Sequence, residues 1–231
     1  MNLNEGRVYL GHLGSIPLYI HWTFVFLLLM VFGGTNFQDG LSIEMGLMWM
    51  MALLIAIVLH ELGHGLAAKV QGAFGITITL WAMGGLCSST RDPLPRRELI
   101  ILAAGPAVSL LLWWVSGLAL TLVANAPPGA FGGLALQTKL ATFLYISQHL
   151  NMLLFVFNIL PIFPLDGGQI MFNLGLLVTR RHDLVRKFTL ACAFAGAFAY
   201  LAWRHQTTGT VQPYSVIMMG WLVFNAFTYL R

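Results

Sequence analysis

The 231-residue chain is 58% hydrophobic and only 9% charged, with a mean hydropathy of +0.79. Soluble domains carry about a quarter of their residues as Asp, Glu, Lys or Arg, so this composition excludes one and points to an integral membrane protein. The net charge of +4 does not argue for nucleic acid, because no long basic run appears and the positive residues flank apolar segments, where they set topology.

From the N-terminus, "RVYLGHLGSIPLYIHW" carries Gly and Pro punctuation among β-friendly residues and reads as a short hairpin. Six candidate spans follow, at about 17–33, 46–68, 98–123, 140–160, 188–203 and 213–230. The first lacks a small-residue cleavage site and is expected as a retained helix. The fifth is short and either thins the bilayer or starts earlier. After the second span, "FGITITLWAMGGLCSST" alternates Ile76, Ile78 and Leu80 with Thr77, Thr79 and Trp81, which predicts another strand or hairpin. The expected fold class is an all-α polytopic membrane protein of about six transmembrane helices. Short membrane-associated β-strands or hairpins lie near the N-terminus and after the second helix. Nothing marks a second domain, so residues 1–231 are expected to form one, with a catalytic core at about 46–170.

Of the 12 Lys and Arg residues, only Lys139 and Arg204 fall outside when both termini are cytoplasmic. The loop with Asp39 and Glu44 has no positive charge and also lies outside, so both termini and both hairpins are expected on the cytoplasmic side. Cys87 and Cys192 are far apart and imply no disulfide framework; Cys192 sits in an apolar segment as a small packing residue.

Only Glu61 and Asp166, of the eight acidic residues, lie in or against apolar sequence. Such residues are costly in a bilayer, about 2.5–3.5 kcal/mol at a helix centre, and mark function by default. His60 and His64, at i and i+4, share one helix face about 6 Å apart along the axis, where two imidazoles can grip one zinc ion. Glu61 is rotated away and is placed as a general base on the attacking water, the arrangement of H-E-x-x-H zinc proteases. The bland alternative is a pair of histidines satisfying interhelical hydrogen bonds, and the insertion cost weighs against it.

A catalytic zinc needs a third protein ligand and an open position. Asp166 in "NILPIFPLDGG" is the candidate: Pro161 and Pro164 break the fourth helix, and Gly167 and Gly168 let the backbone turn back. The alternative is a helix-capping Asp at the interface. His60 lies 14 residues inside the outer end of the second span, about 21 Å down a core about 30 Å thick, and Asp166 follows the inward end of the fourth.

His60-Glu61-x-x-His64, then Asn158 and Pro164-Leu165-Asp166-Gly167, resemble the paired motifs of the site-2 protease family of intramembrane zinc metalloproteases. "AAGPAVS" (103–109) is similar to the Gly-Pro motif of that family's intervening helix, and "MGG" (83–85) to its membrane-embedded hairpin. The likeness runs from about residue 7 to 170. Ser109 departs from it, standing where many members have Asn. The length suggests a compact bacterial-type member without the PDZ or CBS domains of some relatives.

The resemblance implies one catalytic zinc held by His60, His64 and Asp166, with Glu61 as base and acid to the leaving amine. Asn158 either stabilises the oxyanion or binds the substrate, or else is interhelical glue. It also implies a membrane-anchored substrate, such as an anti-sigma factor, a sigma-factor precursor or a signal-peptide remnant, at a bacterial plasma membrane. A substrate helix must become extended before attack, and the Ile76–Trp81 strand could offer an edge for it. Ser147 and Asn151, on a similar face of the fourth helix, suggest a polar lining. His12, His21, His149, His182 and His205 have bland readings, His149 as a hydrogen-bonding partner within its span, with His21 or His149 as a spare ligand the alternative. A divalent-metal transporter would use the same ligands but needs no base at Glu61, and a dead scaffold would not need the intact set.

Overall fold

The computed structural model describes residues 5–32, 40–210 and 213–229. Residues 33–39, which hold Asp39 and the end of the first expected span, and residues 230–231, with Arg231, lie outside the described residues. Contacts divide the chain into two compact units, Met1–Asp92 with Ala104–Phe155 and Pro93–Ala103 with Val156–Arg231.

The first unit opens with the expected hairpin, β1 (Arg7–Leu13) antiparallel to β2 (Ile16–His21). The chain then forms α1 (Phe24–Phe32) and α2 (Gly40–Val70) and returns as β3 (Phe74–Trp81) and β4 (Gly84–Thr90). β3 lies parallel to β2, with Leu18, Tyr19 and Ile20 opposite Ile78, Thr79 and Leu80. Parallel neighbours need a long crossover, and α1 with α2 supplies it. The two expected hairpins are therefore halves of one four-stranded sheet, ordered β1-β2-β3-β4.

Two expectations are corrected here. Pro17–His21, placed in the first span, is strand, and helix begins only at Phe24. The sheet claims these residues, and the turn is fixed by His21, whose Nδ1 lies 2.8 Å from Thr23 Oγ1 and accepts the Thr23 amide. The Ile76–Trp81 strand also does not offer an edge: β3 is paired on both sides, and the edge strands are β1 and β4. Ile76, Ile78 and Leu80 are all buried, as the alternation predicts, but Thr79 on the other face is buried as well.

α3 (Pro95–Asn125) belongs to this unit from Ala104 onward, and there it packs close against α2. A Cβ at Gly63 would lie 2.8 Å from the Ala104 carbonyl oxygen and from Val108 Cγ2, so only glycine permits that approach. α4 (Leu134–Ile159) follows a turn held by buried Gln137, which donates to the Val123 carbonyl and accepts from the Gly129 amide. Near the starts of α2 and α4, Glu44 and Lys139 form an ion pair at 2.6 Å.

The second unit contains the start of α3, the end of α4, and α5 (Asp166–Thr179), α6 (His182–Thr208) and α7 (Pro213–Tyr229). Ile162, Ala193, Ala197, Met219, Leu222 and Ala226 form its buried core. The helix α5 was not expected. α6 begins at His182, ahead of the fifth span at 188, because its first turns are polar and hydropathy alone does not find them.

Four helices among the described residues are long and apolar enough to cross a membrane: Ile43–Val70, Pro95–Asn125, Leu134–Ile159 and His182–Thr207. α1 and α7 are also helical where spans were expected, but shorter, at 9 and 17 residues.

Candidate metal and catalytic centre

α2 is an uninterrupted helix of 31 residues, so the spacing of its polar residues becomes geometry directly. His60 and His64 stack one turn apart and are both buried, with Nε2 atoms 3.2 Å apart and rings nearly perpendicular at 78°. A tetrahedral zinc with bonds of about 2.0–2.1 Å sets two ligand nitrogens about 3.3 Å apart. The pair therefore already has the spacing that a shared ion demands.

α3 leaves room for that ion. A Cβ at Gly105 would stand 2.2 Å from His64 Nε2 and 2.8 Å from His60 Nε2, within the space the two nitrogens face. One turn further along α3, the buried Ser109 hydroxyl meets His60 Nδ1 at 2.9 Å.

Glu61 is buried beside the histidines on α2 and packs against the sheet. A Cβ at Gly85 in β4 would fall 2.2 Å from Glu61 Cγ and 2.7 Å from its Oε1, so the carboxylate rests on bare strand backbone. Cys87, two residues along β4, lies on the same side. Burial, reinforced by the Glu61 charge and opposed by Arg91, pushes its thiol up to about 12. Neither cysteine forms a disulfide.

Asp166 is buried and opens α5, just after the break that ends α4. Within that break the backbone doubles back hard: a Cβ at Gly167 would lie 2.2 Å from the Ile159 carbonyl oxygen, and one at Gly168 2.3 Å from the Phe163 nitrogen. Ile162 anchors the break in the core of its unit, where Gly196 of α6 leaves space for its side chain. Gln169 closes the turn by donating to the Pro164 carbonyl at 2.8 Å.

His60, His64 and Asp166 are a group of three buried donors, with one ligand atom of each within 4.8 Å of the others. This donor set, two imidazoles and a carboxylate, suits zinc and leaves a fourth position for chemistry. Asn158 lies half-buried in the last turn of α4. The spare-ligand candidates fall away. His21 is occupied at both ring nitrogens, by Thr23 and by the Glu5 carbonyl, and His149 is exposed beside Tyr145. Asn151 is buried and donates to the Ser147 carbonyl, while its Oδ1 has no partner. Sequence reasoning missed the neighbours Gly105 and Gly85 as space-makers. Their signal was present, as glycines within the two motif fragments 103–109 and 83–85.

Comparisons agree with this chemistry. The family model described as Peptidase family M50 matches residues 48–131 and 121–203. A protein described as a putative zinc metalloprotease from Synechocystis sp. is 28% identical over 96% of this chain and 59% of its own. A zinc metalloprotease of Methanocaldococcus jannaschii is 30% identical over 81% of this chain and 50% of its own. A putative zinc metalloprotease of Mycobacterium tuberculosis is 28% identical over 94% and 56%. The chain thus spans only half to three-fifths of the curated relatives it matches. The solved structure of a site-2 protease from M. jannaschii aligns with a TM-score of 0.60 and 25% identity, covering 97% of this chain and 95% of that one. With its apolar helices, the chain is an integral membrane protein.

Proposed function

The chain belongs to peptidase family M50, and from that membership we propose that it is an intramembrane zinc endopeptidase that hydrolyses a peptide bond of a transmembrane or membrane-anchored protein. The observation that carries the reading is the His60–His64 pair, with its 3.2 Å nitrogen spacing and the gap left by Gly105. His60, His64 and Asp166 would hold the zinc. When bound, zinc supplies Lewis acidity and makes water a competent nucleophile near neutral pH.

The protein's own groups do the rest. Glu61 takes a proton from the attacking water and returns it to the leaving amine nitrogen. Asn158 donates its amide to the substrate carbonyl oxygen as charge develops there. β4, the edge strand that lies against Glu61, pairs with the extended substrate by strand addition. Both termini are cytoplasmic, in a bacterial plasma membrane. The substrate is a membrane-anchored regulator, such as an anti-sigma factor or a sigma-factor precursor, or a signal-peptide remnant. Residues 1–231 act as one catalytic domain, with its core at about 46–170.

The test compares purified wild type and Glu61→Gln in detergent for zinc content and for cleavage of a panel of membrane-anchored substrates. Both should carry zinc, and Glu61→Gln should lose about 10²–10⁴-fold in rate. A wild type without zinc, or a Glu61→Gln variant that cuts at the wild-type rate, overturns the reading.

A further inference from the structure

α2 and α3 run antiparallel with their motifs in register. His60 faces Ser109 and His64 faces Gly105, so His-x-x-x-His on one helix meets Gly-x-x-x-Ser on the other. The glycine leaves the space in front of the two Nε2 atoms. The serine stands behind His60, on the opposite ring nitrogen.

We propose that Ser109 is a positioning residue of the metal centre: its buried hydroxyl accepts the Nδ1–H of His60, which fixes the ring and leaves the Nε2 lone pair facing the metal. Three observations carry this. The Nδ1–Oγ distance is 2.9 Å. Ser109 is fully buried, so no bulk water competes for the imidazole. His60 Nε2 faces His64 Nε2 at 3.2 Å, and a nitrogen bound for a cation must present a lone pair rather than a proton. The remaining proton then belongs on Nδ1, and Ser109 is the acceptor there. A ligating imidazole whose second nitrogen is bonded in this way is held in one tautomer and one orientation. Ser109 therefore fills this position with a role of its own, whatever residue other proteins use there.

The inference rests on the zinc reading above, so its test separates the two. Zinc affinity of the full chain is measured in detergent by competition with a chelating indicator, for wild type, Ser109→Ala, Ser109→Thr and Ser109→Val. Thr and Val have nearly the same shape and differ by the hydroxyl, so any crowding at this buried position burdens both alike. Ser109→Thr is expected to bind zinc about 10–100-fold more tightly than Ser109→Val. Ser109→Ala should weaken binding by a similar factor while the melting temperature of the zinc-free protein stays close to wild type. Equal affinities for Thr and Val overturn the proposal. If neither folds, an unchanged affinity in Ser109→Ala overturns it, and a 10–100-fold loss there upholds it. A wild type that binds no zinc refutes the metal reading itself, which is a separate result.

Discussion

The donors of the centre are held in two unlike ways. His60 and His64 sit on an unbroken helix whose hydrogen-bonded periodicity alone sets their spacing. Asp166 sits where a helix has been broken, and nothing periodic places it. Its position depends on Ile162 filling a core pocket and on two glycines that let backbone touch backbone. A regular element gives accuracy through its own bonds, whereas an irregular one must take it from the packing around it. The helix pair and the break should therefore fail differently when each is disturbed by the same small change.

A single added methyl draws that contrast. Gly105→Ala should give the largest effect, loss of zinc binding by more than the roughly 100-fold typical of an outer-shell change. The new Cβ meets only the ends of two imidazoles, which can swing aside, and alanine suits a helix better than glycine by about 1 kcal/mol. The protein should stay folded, with an unchanged or raised melting temperature when zinc-free, as measured by calorimetry beside zinc titration. Retention of wild-type zinc affinity would show that the two nitrogens do not share an ion in front of α3. Gly167→Ala should do the reverse. Its Cβ would meet the Ile159 carbonyl carbon at 2.4 Å and oxygen at 2.2 Å, backbone atoms that cannot rotate away. The break must open, at a cost of roughly 2–3 kcal/mol. The melting temperature should fall, and zinc binding should weaken along with it. An unchanged melting temperature would mean that the break yields freely, and the distinction between the two regions would dissolve.

The same contrast explains how much the sequence discloses. His60, Glu61 and His64 can be read directly because a helix converts spacing into direction. Asp166 can be nominated, because two prolines and two glycines announce a break, although a helix-capping acid there reads the same way until His60 and His64 are set beside it. The geometry of that break cannot be read, since it depends on Ile162 meeting a helix pair many residues later in the chain. The strands follow this pattern. Alternation reveals β3 and its buried face, but no periodicity says which strand lies beside it. The crossover through α1 and α2 makes β3 internal, and sheet order is a long-range property. Ile78→Pro would therefore break a central ladder rather than block an edge. Hydropathy likewise overextends the first span, because Pro17–His21 is as apolar as a helix and differs only in its partners.

β4 joins regular structure to catalysis at one glycine, and Gly85→Ala sharpens the comparison with the smallest expected effect. Gly84 needs glycine for its backbone, with φ at +118°, but Gly85 has no such requirement and is small only because Glu61 lies on it. The added Cβ would meet Glu61 Cγ, Cδ and Oε1, the far end of a flexible side chain, so the sheet should survive. Glu61 must then shift by an amount on the order of 1 Å, a misplacement that can cost up to about 10²-fold in rate. Turnover should fall about ten- to a hundredfold, with zinc affinity unchanged because no metal donor is touched. Loss of zinc would mean that β4 supports the histidines as well. Full activity would mean that Glu61 reaches the water from another rotamer, and the fit between strand and carboxylate would then be packing alone.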